Sequence, residues 1–256
     1  MGRTIRMAVT DLDGTLLRND KTVSAYARDV IGRLRGRGVK FAVATARPIR
    51  AVKGFIPGLA FDGAVYHNGA VVEAEGALLE GFGIVHPREV VRRVLAGQPE
   101  ARVAVEAQDA LYGNFDTRDI WPGVTCLRTA DFREIAALTA DKIIVEAGTL
   151  AEAEALERLL PEELYAQISE HRIAMIMNRR ATKVNGIRML ADRWGVPMEE
   201  IAAFGDDYND VDMLRVCGAG VATANALEEA RAAADDVCPS NEEDGVARWL
   251  EETLPL

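Results

Sequence analysis

Met7-Ala8-Val9-Thr10 runs directly into Asp11-Leu12-Asp13-Gly14-Thr15-Leu16-Leu17, an apolar strand that ends on two carboxylates one residue apart. Residues two apart on an extended segment share a side, so Asp11 and Asp13 face one small volume. Carboxylates that close repel unless a cation or a shared proton holds them. One suits a nucleophile and the other an acid/base, the division of labour that covalent phosphoryl transfer requires. Gly14 permits a sharp turn at the strand end. A calcium loop also begins Asp-x-Asp, but it needs Gly at its sixth place and Glu at its twelfth, where this chain has Leu16 and Thr22.

On either side of this stretch, strand-like and helix-like segments alternate, which predicts a parallel sheet flanked by helices. A helix over 24–37 carries Val30, Ile31 and Leu34 at core spacing and stops at Gly38. A second strand over 39–44 leads to Thr45-Ala46-Arg47-Pro48, with Pro48 placed to open a helix. Ala64-Val65-Tyr66 reads as a third strand that enters the turn His67-Asn68-Gly69. Beyond residue 181 the alternation resumes: helix 184–194, strand 201–204, helix 211–216, strand 220–223, helix 226–233, a short strand near Val237, and a last helix over 244–254.

The middle of the chain reads differently. Its order is helix 87–95, a hairpin of 102–106 with 111–114, helix 132–138, strand 142–146, helix 150–160, and strands 164–169 and 173–178. Adjacent strands with helices set between them predict an antiparallel sheet covered on one side. The fold class is therefore α/β, a Rossmann-like doubly wound parallel sheet formed by residues 1–82 and 181–256, with an inserted α+β cap over 83–180.

Composition narrows the function classes. With 49% hydrophobic and 27% charged residues over 256 positions, the chain has the make-up of a globular protein with a substantial core. A net charge of −10 argues against nucleic acid or an anionic membrane as partner, since both reward a basic face. No apolar run approaches the ~20 residues of a membrane span. The start Met1-Gly2-Arg3-Thr4-Ile5-Arg6 lacks the apolar stretch of a secretory signal, and a strand beginning near Ile5 discounts Met1-Gly2 as a myristoylation signal. Cys126, Cys217 and Cys238 are odd in number and widely spaced, the pattern of small hydrophobes in a reducing cytoplasm.

Four stations are expected at the carboxyl ends of parallel strands, where open α/β sheets bind ligands. Asp11 and Asp13 are the first. Thr45 is the second, a hydroxyl suited both to a helix cap and to a phosphoryl oxygen. Lys183 is the third, either a solvated lysine at a helix start or a fixed charge beside a nucleophile. The fourth is Gly205-Asp206-Asp207-Tyr208-Asn209-Asp210. Its three carboxylates and an amide form either a hard-oxygen set suited to Mg²⁺ or an acidic helix N-terminus favoured by the dipole.

Taken together, Asp-x-Asp-Gly-Thr at 11–15, Thr45-Ala46-Arg47, Lys183 and Gly-Asp-Asp-x-Asn-Asp at 205–210 resemble the haloacid dehalogenase superfamily of phosphohydrolases. An insert between the second and third stations, with Asn68-Gly69, Asn225-Ala226 and the run from Ser240 to Val246, resembles its Cof-type sugar-phosphatase branch. Two positions depart from the usual pattern: Ala46 replaces a Gly, and Lys183-Val184-Asn185-Gly186-Ile187 replaces Lys-Gly-x-Ala-Leu. The resemblance implies that Asp11 attacks phosphorus and that Asp13 protonates the leaving alkoxide, then deprotonates the hydrolytic water. It implies Mg²⁺ on the Asp11 carboxylate, the Asp13 main-chain carbonyl and Asp206, with Asp210 in support, and Lys183 screening charge. It also assigns Thr45, Ala46, Arg47, Asn68, Asn209 and Arg180 to phosphate or substrate. The function implied is Mg²⁺-dependent hydrolysis of a small phosphorylated metabolite such as a sugar phosphate. The alternatives are a phosphotransferase or mutase on the same scaffold, or a phosphometabolite-binding regulator with negligible turnover.

Other residues carry two readings each. His67 beside the third strand is catalytic or structural, and His86 and His171 have no partners at metal-ligand spacing. Trp121 is part of a lid or the anchor of a long loop. Arg47 reaches the cap or a second substrate anion, or else pins its own loop. Arg179 and Arg180 reach a substrate anion or form surface ion pairs.

Overall fold

Met7–Thr10 forms strand β1, and every residue in it is buried. In the computed structural model the described residues are 4–53, 56, 58–79, 81–169 and 172–254; Met1, Gly2 and His171 lie outside them. The elements in order are β1, α1 (Ala25–Gly36), β2 (Lys40–Ala44), α2 (Arg50–Lys53), β3 (Gly63–Tyr66), β4 (Val71–Ala74) and β5 (Ala77–Leu79). Then come α3 (Pro87–Gly97), β6 (Val103–Ala107), β7 (Ala110–Gly113), β8 (Leu127–Arg128), β9 (Lys142–Glu146), α4 (Leu150–Glu157), β10 (Leu164–Ser169) and β11 (Ile173–Asn178). The chain ends with α5 (Lys183–Trp194), β12 (Ile201–Gly205), α6 (Val211–Val216), β13 (Ala219–Thr223), α7 (Glu228–Ala233), β14 (Asp236–Cys238) and α8 (Gly245–Thr253).

The chain divides into two compact units, one of Met1–Gly81 with Thr182–Leu256 and one of Phe82–Ala181. The cuts fall after 81 and 181, and Phe82 and Arg180, whose ring and guanidinium lie 4.6 Å apart, both belong to the inserted unit. The first unit holds an eight-stranded sheet in the order β14-β13-β12-β1-β2-β3-β4-β5. The six strands from β14 to β3 are parallel, while β4 and β5 close the edge as antiparallel additions. That edge pair was not expected from the sequence.

Both faces of the sheet are covered at its centre, which explains why β1, β12 and β13 are buried throughout instead of alternating. Ala8 and Phe41 face a core with Val30, Ile31 and Leu34 of α1 and Leu250 of α8. Met7 and Val9 face the other core, with Ile187 and Leu190 of α5 and Met213 of α6. Helix α1 begins where the Ser24 hydroxyl accepts from the Ala27 amide at 2.9 Å. Among the described residues, no helix is long and apolar enough to cross a membrane.

The inserted unit has its own six-stranded sheet, ordered β10-β11-β9-β6-β7-β8. Four of its five pairings are antiparallel; β7 and β8 pair in parallel. Val90, Val91 and Val94 of α3, with Leu156 of α4, cover the face presented by Val103, Val105, Ile143 and Val145. The second face is not bare: Phe115, Ile120 and Trp121 pack on Ala104, Ile144 and Ile173. This placement makes Trp121 a packing anchor. The helix expected over 132–138 is only a single 3₁₀ turn, Arg133–Ile135. The Thr129 hydroxyl takes the Phe132 amide at 2.9 Å, and the Asp131 carboxylate takes the Arg133 amide at 3.3 Å. Phe132 itself is left-handed at φ +55°, so no α-helix runs through it and the turn starts only at Arg133.

Candidate active site

Three of the four stations follow adjacent strands. Asp11 follows β1, Thr45 follows β2 and Asp206 follows β12, and β1 pairs with both neighbours. Strand order reverses at β1, since β2 and β3 extend to one side and β12 to β14 to the other. That crevice is the site the parallel sheet creates by its topology. The third station arrives differently: Lys183 is the first residue of α5 and follows no core strand, because β11 before it belongs to the other sheet. Thr182 caps α5, its hydroxyl accepting from the Asn185 amide at 3.2 Å. Gly186 lets the helix press on β3, for a Cβ there would lie 2.4 Å from Val65 Cγ1.

Lys183 is the electrostatic centre. Its Nζ donates to Asp11 Oδ1 at 2.6 Å and to Asp210 Oδ1 at 2.7 Å, with its side chain 1% exposed. Lys183 is therefore not a solvated lysine at a helix start. Asp210 has no exposed surface, and its Oδ2 accepts from the amides of Asp206 and Asp207 at 2.9 and 3.1 Å. Both Asp210 oxygens are thus engaged within the protein. Asp206 Oδ1 accepts from the Thr15 hydroxyl at 2.5 Å. Gly14, at φ +80°, makes room for that carboxylate; a Cβ there would lie 2.3 Å from Asp206 Oδ2.

Carboxylate oxygens of Asp11, Asp206 and Asp210 all lie within 4.8 Å of one another. Three carboxylates against one ammonium leave two negative charges in excess. Burial pushes the Asp11 carboxyl up to about 7, with Asp210 and Asp206 adding to the rise and Lys183 opposing it. Burial, with Asp210 and Asp207 nearby, lifts Asp206 to about 6 against the Thr15 hydrogen bond. Burial alone would lower the Lys183 ammonium, yet the two aspartates hold it above its usual range. Hard oxygen donors with uncompensated charge fit a small divalent cation.

Asp13 sits in another field. Its Oδ2 accepts from Arg47 Nε at 2.6 Å, and its Oδ1 accepts from Arg47 Nη2 at 2.6 Å and from Lys21 Nζ at 2.8 Å. Burial would raise its carboxyl, but those hydrogen bonds and charges outweigh it and hold the group below the usual range. Arg47 therefore grips Asp13, and its Nη1 also donates to the Ala51 carbonyl at 3.2 Å.

The remaining predicted residues divide. Thr45 is buried, with its Oγ1 accepting from the Arg47 amide at 3.2 Å and its carbonyl accepting from the Asn68 amide at 2.9 Å. Ala46 is exposed beside it. Asn68 in turn accepts from Asn209 Nδ2 at 3.1 Å, which joins the second and fourth stations. His67 is buried at φ +47°, in the turn that bonds to Arg47 O. Arg180, over Phe82, belongs to the inserted unit. Arg179 pairs with Glu157 and donates to the Glu162 carbonyl, a surface role. Asn225 Nδ2 donates to the Gly14 carbonyl at 2.8 Å, and its Oδ1 accepts from the Asn241 amide at 3.0 Å, so the late loops brace the first one. Thr15 and Lys21 are contacts that the sequence reading did not single out. Thr15 lay in view within the Asp-Gly-Thr motif; Lys21 gave no signal beyond its position in a polar turn.

Comparison with known proteins agrees with this geometry. Residues 8–250 match the family model described as haloacid dehalogenase-like hydrolase. The 5-amino-6-(5-phospho-D-ribitylamino)uracil phosphatase YitU of Bacillus subtilis is 29% identical, with 96% of each chain covered. Among solved structures, the superfamily phosphatase BT1666 of Bacteroides thetaiotaomicron superposes with a TM-score of 0.83 at 25% identity, covering 98% of this chain and 96% of its own. TM0651 of Thermotoga maritima shares the fold, with a TM-score of 0.84 at 24% identity and 99% of each chain covered. The chain belongs to the haloacid dehalogenase-like hydrolases and is an enzyme of their phosphatase kind.

Proposed function

We propose that the protein hydrolyses the phosphomonoester of a small metabolite, with Mg²⁺, through an aspartyl-phosphate on Asp11. The observation that carries this reading is the buried Lys183 ammonium between Asp11 and Asp210, with Asp206 completing an anionic cluster. A purely structural ion pair needs one carboxylate per ammonium; this cluster has two in excess, and burial makes the excess costly. Asp11 and Asp206 would hold the cation, with the Asp13 carbonyl, while Asp210 supports them through Lys183 and the Asp206 amide. Bound there, Mg²⁺ supplies charge neutralisation to the phosphoryl oxygens.

The chain's own residues do the rest. Lys183 holds the Asp11 carboxylate in one orientation by its 2.6 Å hydrogen bond. An Asp11 oxygen bonds to phosphorus while the bond to the leaving oxygen breaks, and that oxygen takes a proton from Asp13, which rests as a carboxylate and would first take that proton from the monoanionic form of the substrate phosphate. Asp13 then removes a proton from water, which attacks phosphorus and releases phosphate and the Asp11 carboxylate. Thr45 and Asn68 would donate hydrogen bonds to the phosphoryl oxygens. Substrate choice is assigned to the inserted unit, because the first unit's site residues are committed to the phosphoryl group. Three free cysteines suit a reducing, cytoplasmic setting.

The test is a screen of sugar phosphates, polyol phosphates, phosphoglycolate, nucleotides and pyridoxal phosphate, each with Mg²⁺ and with chelator. 5-Amino-6-(5-phospho-D-ribitylamino)uracil joins the panel because YitU carries that activity in its name. Phosphate release that depends on Mg²⁺ and needs no added acceptor is expected. Transfer only to a second sugar would indicate a mutase, and no turnover on any member would favour the binding protein.

A further inference from the structure

Lys21 is at the tip of a tight turn closed by the Arg18 amide on Thr22 O at 3.0 Å and the Lys21 amide on Arg18 O at 2.8 Å. Its φ is +67°, the left-handed region that residues with a Cβ seldom adopt and that glycine enters freely. The turn is held further by Asp20 Oδ1, which accepts from the Thr22 amide and hydroxyl at 2.9 and 2.6 Å. From this position the Lys21 side chain delivers its Nζ to Asp13 Oδ1 at 2.8 Å. Asp13 is thereby held by three charge-assisted hydrogen bonds from two separate elements, the Arg47 fork and the Lys21 ammonium. Backbone strain that persists at a site residue points to a purpose for the side chain it presents.

We propose that Lys21 is a positioning residue for Asp13, and that the left-handed turn is kept because it places this ammonium against the carboxylate that serves the leaving oxygen. The proposal rests on the phosphatase reading above, in which Asp13 gives its proton to the leaving oxygen as the bond to phosphorus breaks. Arg47 is the anchored partner, since its side chain is 17% exposed and also bonds Ala51 O, whereas Lys21 is 46% exposed and reaches in from outside. A residue that orients a proton donor matters in proportion to how much the leaving group needs the proton. An alkoxide needs it; a nitrophenolate departs without it.

The experiment compares kcat/KM on a polyol phosphate and on p-nitrophenyl phosphate, because kcat/KM reports the step in which the leaving group departs. For Lys21→Gly and Lys21→Met, kcat/KM should fall about tenfold or more on the polyol phosphate and less than about threefold on the aryl phosphate. Lys21→Arg should restore part of the alkyl rate. Lys21→Gly should melt at or above the wild-type temperature, since glycine fits the left-handed turn. Loss of activity together with undiminished stability is a pair that a merely structural lysine would not produce. Equal loss on both substrates, no loss on either, or a Lys21→Gly melting point well below wild type would overturn the proposal. Wild-type protein with no turnover on either substrate would instead overturn the phosphatase reading, and this proposal with it.

Discussion

Replacing Lys183 by methionine keeps the length of the side chain and removes its charge. In the wild type that charge lies 2.6 Å from Asp11 Oδ1 and 2.7 Å from Asp210 Oδ1, with the lysine side chain 1% exposed. At an effective dielectric of about 20, two unit charges about 4 Å apart attract by ~4 kcal/mol. Mutational breaking of a buried pair costs ~3–5 kcal/mol. Two pairs are lost here, but the losses do not add. Asp11, whose carboxyl is already pushed up to about 7, takes a proton and becomes neutral. Asp210 is left as the stranded charge, still tied to the Asp206 and Asp207 amides. The expected loss is therefore that of one pair, ~3–5 kcal/mol, or a fall in melting temperature of roughly 6–20 °C for a chain of this size. Urea and thermal unfolding in chelator would measure it, followed by the fluorescence of Trp194 and Trp249 in the first unit. Lys183→Met/Asp210→Asn, which removes the stranded charge, should recover about half of the loss. A cost below ~1 kcal/mol, or no recovery in the double variant, would refute the view of Lys183 as the counter-charge of a strained anionic cluster.

The same cluster predicts how pH and metal interact. Asp11 and Asp206 titrate higher folded than unfolded, at about 7 and about 6, so they bind extra protons in the metal-free fold. Their contribution to stability is full below the unfolded carboxylate range and is lost as pH rises through about 7. Chelated protein should therefore melt lower at pH 8 than at pH 6, and the stabilisation by Mg²⁺ should grow over the same interval; calorimetric scans at the two pH values check both. Asp206→Ala should weaken Mg²⁺ binding more than the ~10–100-fold typical of outer-shell losses, without lowering the stability of chelated protein, as titration calorimetry and melting would show. Asp210→Ala should instead lower that stability, since Lys183 and two amides lose their acceptor. Gly186→Ala forces a methyl to within 2.4 Å of Val65 Cγ1 and should cost ~1–3 kcal/mol, with Val65→Ala restoring part of it in unfolding experiments.

Much of this organisation is written locally. Asp11, Thr45 and Asp206 each follow a continuous apolar run bounded by turn residues, and such runs are buried parallel strands wherever helices cover both faces. Strand β10 was equally plain, because alternation and length agree there, and β11 is a short apolar run whose residues face both cores of the inserted unit. The antiparallel edge pair of β4 and β5 was not read, since strands of four and three residues carry too few positions for a period to show. The 3₁₀ turn at 133–135 escaped because its apolar spacing is helical while Phe132 takes a left-handed backbone that no spacing pattern reveals. The site's finer wiring depends on separation along the chain. Arg47 and Asp13 are 34 residues apart, and Lys183 and Asp11 are 172 apart. No local pattern states which carboxylate each cation will meet. Arg47 thus had three expected roles, and none of them was to grip Asp13.

The central claim is that Asp11 becomes phosphorylated during turnover. Enzyme turning over an aryl phosphate with Mg²⁺ would be quenched in acid, reduced with borohydride, digested and weighed peptide by peptide. An acyl phosphate is reduced to an alcohol, so the peptide that carries Asp11 should show homoserine at that position, more of it in Asp13→Asn and none in Asp11→Asn. Unmodified Asp11 in enzyme that is demonstrably turning over, under conditions that reduce a reference acyl phosphate, would contradict a covalent intermediate there.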